Sequence, residues 1–367
     1  MLTVKYLKHY STNIIINMIP YFVVLLISLL FMAAYQSTKN KIFLVLCAVP
    51  MIILIGFRSA VVGTDTGGYC RSFLDKVNYS LSSDTLKEFS TEPGWNMLNL
   101  LLVRLGQYYF IILTAVGTVC TVAALYVINK LSDFKTLSLF IYFTLSFYLF
   151  AFAASRQAFA IAVYMCSLPH LINGNFKKYA IWVVAATMFH QTALVALPLY
   201  FFFRLPFSKK ILTLSVVGGL VTGALIPEIM AFAATVEDRY SVYTEYEGGG
   251  EMFTVFYLIL SVFFIMQRSK IQLKYLKKYD ILLNMLIFGS LIYVVVTLSG
   301  LYGEVTRFAA YFQISVMILW AYLYKHRITP LSSLFWLITI IGHMGYFYIY
   351  LSKIGHIVPY VFNTAFA

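Results

Sequence analysis

The sequence predicts an all-α, polytopic integral membrane protein with about 12 transmembrane or re-entrant helices. Three observations carry that prediction. Hydrophobic residues make up 61% of the 367-residue chain, and the mean hydropathy is +0.83; both values belong to membrane chains rather than soluble domains. Aromatic residues are 18% of the total, which fits many Tyr and Trp at membrane–water boundaries. The apolar residues also fall into long runs, and lipid offers no water to satisfy an open backbone, so each run is read as a helix.

Twelve runs follow one another: 14–35, 42–57, 108–128, 137–154, 157–172, 179–189, 192–203, 211–234, 253–267, 280–299, 308–324 and 331–351. The first is too long for a signal-peptide core and lacks a clear cleavage site, so it is expected to remain as a span. After the second comes a long polar loop, 58–107, whose apolar part Trp95–Leu105 is expected to lie along the interface or dip into the membrane. The sixth and seventh runs are too short to cross a hydrocarbon core about 30 Å thick at 1.5 Å per residue. Tilting, local thinning or re-entry would accommodate them, and broken helices of this kind usually line a cavity. A second long loop, 235–252, is acidic and rich in Tyr. No internal repeat is visible, so the inverted halves of many transporters find no support. The whole of 1–367 reads as one polytopic domain.

The net charge of +13 comes from 27 Lys and Arg against 14 Asp and Glu. With the amino terminus outside, sixteen of the 27 basic residues fall in short inside loops, the densest being Arg268, Lys270, Lys274, Lys277 and Lys278. Only Asp133 and Asp280 of the 14 acids share that side. The positive-inside rule therefore sets the orientation. The basic residues form no groove-sized patch, so nucleic acid is not an expected partner. Cys47, Cys120 and Cys166 lie in apolar runs and Cys70 stands alone in the polar loop, so no disulfide is implied.

In this topology the unusual polar groups gather on the outer face. They are Gly56–Phe73, Glu92-Pro93-Gly94-Trp95, Ser155-Arg156-Gln157, His190-Gln191, the Val236–Glu251 loop and Gly303–Arg307. Arg156 is flanked by apolar sequence on both sides, and it reads either as a residue snorkelling to headgroups or as a guanidinium fork for a phosphate near a helix start. Arg58 presents the same choice. His190, between the two short runs, is either a structural histidine or a proton carrier. Arg307 and Glu304 have the i,i+3 spacing of a local ion pair, or form a second anion site. Asp65 either caps a glycine-rich turn or serves as a base or sugar ligand. Arg239 with Tyr240, Tyr243 and Tyr246 suits carbohydrate and a membrane belt equally. The chain carries no nucleotide-type phosphate loop, HExxH, CxxC or GxSxG, and its scattered His residues indicate no metal site and no cofactor.

The order FRSAVVGTDTGGY, EPGW, SRQAFAIAV, NFKKYAIWVVAATMFHQTALVALPL and GEVTRFAAYF resembles the EpsG family, which groups with the Wzy-type polymerases of bacterial capsule, exopolysaccharide and O-antigen synthesis. The resemblance runs from about residue 14 to about 350 and rests on order and spacing more than on any one motif. It implies a GT-C-like, metal-independent glycosyltransferase of the inner membrane. Such an enzyme joins oligosaccharide repeat units carried on undecaprenyl pyrophosphate, at the periplasmic face. It also implies roles for the residues above. Arg58, Arg156 and Arg307 would bind the pyrophosphate; His190, or else Asp65, would be the base; Tyr69, Glu92, Gln157 and Glu304 would orient sugars. The lipid tail would enter beside the short sixth and seventh runs. A chain-length regulator is a common partner in that family. Two other readings stay open: a ligase using the same lipid-linked donor, and a flippase, against which the one-sided clustering of polar groups argues.

Overall fold

The computed structural model describes residues 14–80, 91–221, 251–299 and 304–363. The Val236–Glu251 loop up to residue 250, the latter part of the eighth run and Gly303 lie outside the described residues, as does the side chain of Glu304. Among the described residues every regular element is helical, and the only β contacts are isolated bridges, Arg58 to Phe362 and Ile271 to Arg327.

Among the described residues five helices are long and apolar enough to cross a membrane: Ile15–Thr38, Phe110–Leu131, Glu251–Arg268, Leu273–Ser299 and Ser333–Ile354. Ile42–Gly56 and Gln191–Phe203 are apolar but shorter. Three further runs are broken, while run 179–189 is the single short helix Phe176–Thr187. Run 137–154 divides into Lys135–Thr144 and Phe150–Ala153, with Ser146 at φ 64° between them. Run 157–172 becomes Ser155–Met165 and Leu168–Asn173, and run 308–324 becomes Ala310–Gln313 and Val316–His326. A polytopic membrane protein is what these helices describe; twelve spans are not resolved in it.

The chain forms two compact units. The first comprises residues up to Pro169, Lys177–Leu194 and Leu331 onward. In it Ile42–Gly56 packs between Ile14–Thr38 and Phe110–Leu131, and Ser155–Met165 lies against Phe110–Leu131. The carboxyl end closes on this core: Tyr360 Oη donates to Leu54 O at 3.0 Å, Ser59 N to Val361 O at 2.8 Å and Asn363 N to Phe57 O at 2.8 Å.

The second unit comprises His170–Phe176 and Val195–Pro330. Its central helix, Leu276–Ser299, is buried around much of its circumference by Glu251–Arg268, Ala196–Phe203 and Val316–His326, as expected of a helix that is apolar on all sides. Asp280 binds Arg268 through both oxygens, at 2.7 and 2.8 Å, and accepts from Phe207 N at 3.1 Å. An apolar cavity of about 500 Å³ in this unit is lined by Leu199, Phe202, Gly218, Phe288, Leu291 and Val295 among others.

Candidate active site

The EPGW, Ser155-Arg156-Gln157 and His190-Gln191 motifs meet in the first unit, with Glu92 at their junction. Glu92 precedes the helix Pro93–Leu102 and sits in the left-handed region at φ 53°, ψ 57°, with 6% of its surface exposed. Pro93 suits the first helical turn because its missing N–H would be unsatisfied there anyway. Gly94 then lets the chain come close to a second backbone. Its N–H donates to Met188 O at 2.9 Å, and a Cβ on it would lie 2.9 Å from Met188 Cβ. The EPGW motif is thus a backbone clamp on the turn after Phe176–Thr187.

That clamp brings Glu92 to His190. Oε1 lies 2.6 Å from His190 Nδ1 and accepts from Gln191 N at 3.3 Å. Oε2 meets Arg156 Nη1 at 2.7 Å as an ion pair. Burial alone would raise the Glu92 carboxyl; the His190 hydrogen bond, the Arg156 charge and the Gln191 N–H outweigh it and hold the group below its ordinary 4.5. At neutral pH it is a carboxylate, which only accepts. The proton in the short contact therefore sits on His190 Nδ1, and in the neutral imidazole Nε2 is the acceptor. This is the arrangement by which a carboxylate fixes the tautomer of a catalytic base.

Arg156 is the second residue of Ser155–Met165. Its side chain is 38% exposed, and its buried Nε has no hydrogen-bond partner among the described residues. The exposed part of the guanidinium, rather than the buried Nε, is what an anion meets beside the ion pair with Glu92. His190 is 15% exposed. An aromatic row runs through the same elements: Tyr69 to Trp95 at 5.8 Å, Trp95 to Phe159 at 6.2 Å and Phe159 to Phe189 at 4.5 Å between ring centroids. Each ring comes from one motif-bearing segment, so packing joins the segment of Tyr69 to the three that the ionic contacts hold.

The other expected residues are placed as follows. Tyr69 joins the cluster through the aromatic row. Asp65 precedes the same helix, Thr66–Asp75, half-buried and without a side-chain cap hydrogen bond. Gln157 is buried beside Arg156. Arg307 is half-buried in Glu304–Phe308 of the second unit. Arg58 does not fit a pyrophosphate ligand, because it is 0% exposed and all three of its guanidinium nitrogens donate to protein. Glu92, expected to orient sugar, is committed to His190 and Arg156 instead. Sequence reasoning gave no role to Thr66, Ser155 or the Met188 carbonyl, whose hydrogen bonds hold the segments of the site. Among the described residues no group of three His, Cys, Asp or Glu is placed to hold a metal ion.

The model of the EpsG family matches residues 41–362, an interval that includes all of these groups. No curated protein and no solved structure matches the chain.

Proposed function

The chain belongs to the EpsG family, a family of Wzy-type polysaccharide polymerase-like proteins, and on that premise we propose that it joins polyprenyl-pyrophosphate-linked repeat units into a surface polysaccharide. The observation that carries this reading is the Glu92 carboxylate bridging Arg156 and His190. It places a fixed imidazole acceptor and a partly free guanidinium on one anchor, which is what a glycosyl transfer with an anionic leaving group requires.

In this mechanism a hydroxyl of the incoming unit attacks the anomeric carbon of the growing chain. The new glycosidic C–O bond forms as the C–O bond to the pyrophosphate breaks. The hydroxyl proton passes to His190 Nε2, and undecaprenyl pyrophosphate departs with its charge met by Arg156. Glu92 stabilises the imidazolium that results. Arg307 is proposed as a second cation for the pyrophosphate, and Asp65 as a further base. Tyr69, Gln157 and Glu304 are proposed to contact sugar. The charge asymmetry of the loops supports an inner-membrane protein with this site facing the periplasm.

The test uses a deletion strain complemented with wild type, Arg156→Ala or His190→Ala, with its surface polysaccharide run on a gel. Single repeat units in the deletion, and a ladder restored only by wild type, are expected. Full-length polymer left unattached would make the chain a ligase. Loss of even single units from the surface would make it a transporter.

A further inference from the structure

Arg58 has the largest fully buried side chain among the described residues. Its partners are neutral. Nη1 donates to Ile55 O at 2.7 Å; Nη2 donates to Ala151 O at 3.0 Å and lies 3.2 Å from Ser155 Oγ; Nε and Nη2 reach Thr66 Oγ1 at 3.4 and 3.3 Å. The guanidinium carbon lies 4.6 Å from the centre of the Phe152 ring. A side chain enclosed in this way neither snorkels to headgroups nor offers a face to a phosphate.

Apart from Ile55 O, these partners converge on one place, the break between Phe150–Ala153 and Ser155–Met165. Ala154 breaks the helical path with φ −129°, ψ 63°. At such a break the last carbonyls of a helix lose their partners farther along. Ala151 O accepts from Arg58 Nη2 and from Ser155 Oγ at 2.9 Å, while Thr66 Oγ1 shares its one proton between Phe152 O at 3.0 Å and Val62 O at 2.8 Å. A cation at the carboxyl end of a helix also opposes the helix dipole favourably. Gly63 closes the arrangement, since at φ +98° it approaches so near that a Cβ would overlap Phe152 O. Arg156 follows Ser155 directly, so whatever fixes the break also fixes where Arg156 points.

We propose that Arg58 is a positioning residue for Arg156: with Thr66 it clamps the carbonyl end of Phe150–Ala153 and sets the helix break that aims Arg156 at Glu92. The catalytic part of this inference rests on the polymerase reading. The structural part does not.

The test uses the full-length protein with Arg58→Lys, Thr66→Val and the double variant. Thr66→Val keeps the shape of the side chain while removing its hydroxyl, and so reports on the clamp if Arg58→Lys fails to fold. Hydrogen exchange across 150–157 is expected to quicken about tenfold in each single variant, as local opening becomes easier. With a lipid-linked donor, kcat is expected to fall about ten- to a hundredfold through misplacement of Arg156, while donor KM stays within about twofold of wild type. The double variant should be little worse than the weaker single one, because both residues hold the same break. A donor KM raised about tenfold with exchange across 150–157 unchanged would make Arg58 a donor ligand and overturn the proposal. A Thr66→Val variant silent in both assays would overturn it as well. Should Arg156→Ala itself retain full activity, the polymerase site fails, yet the exchange measurement still decides whether Arg58 holds the break.

Discussion

Replacing Glu92 separates what the cluster does for chemistry from what it does for folding. Glu92→Gln removes the anion shared by Arg156 and His190 but keeps the side chain's size. Breaking a fully buried charge pair costs about 3–5 kcal/mol. Arg156 is 38% exposed, however, and solvent would recover much of that, which leaves about 1–2 kcal/mol. Activity should suffer more, because a base without its orienting carboxylate loses on the order of 10²–10⁴ in rate. Glu92→Asn adds an independent check. The backbone at φ 53°, ψ 57° costs a residue such as Glu about 1 kcal/mol, and Asn tolerates it better. The Asn variant should therefore unfold later than the Gln variant while being equally inactive. Thermal unfolding in detergent and polymer formation from lipid-linked units measure the two effects. A Gln variant polymerising within about twofold of wild type would refute the reasoning.

Other expectations follow from the same geometry. The Glu92 carboxyl is held below its ordinary 4.5, so its stabilising contribution is complete above that value and is lost as pH falls through the lower, folded-state value. Comparing thermal midpoints of wild type and Glu92→Gln on acidification should show the difference closing. Gly94→Ala, whose Cβ would lie 2.9 Å from Met188 Cβ and 3.0 Å from Met188 O, should cost about 1–3 kcal/mol and reduce activity. Gly68→Ala meets nothing within 4 Å inside Thr66–Asp75, and should be neutral or gain up to about 1 kcal/mol in helix propensity; unfolding curves of the two variants check the contrast.

The fold class was legible because lipid forces a backbone to satisfy itself, so apolar runs become helices whatever their detailed order. The number of spans was not, because apolar composition does not show where a run breaks. The break at Ser146 lies inside an unbroken apolar run; the one at Ala154 falls between two runs and is held by side chains from another segment, Arg58 and Thr66. The sequence placed EPGW, Ser155-Arg156-Gln157 and His190-Gln191 on one face, and the structure brings them together. It did not show that Glu92 is their hub, because contacts between distant segments leave no periodic trace. In the glycine-punctuated stretch after Gly56, Gly63 makes a close approach to the Phe152 carbonyl. The short polar side chains of Thr66 and Ser155 beside apolar sequence were the available signal for that internal clamp.

The central claim is that the Glu92-anchored Arg156 and His190 carry glycosyl transfer from a lipid pyrophosphate. It is tested most directly by reconstituting the full-length protein with lipid-linked repeat units and following both products together. The account predicts that wild type releases one undecaprenyl pyrophosphate for each new linkage. Arg156→Ala and His190→Ala, while still folded, should each slow both products by about a hundredfold or more. Polymer formed at the wild-type rate by either variant would contradict it.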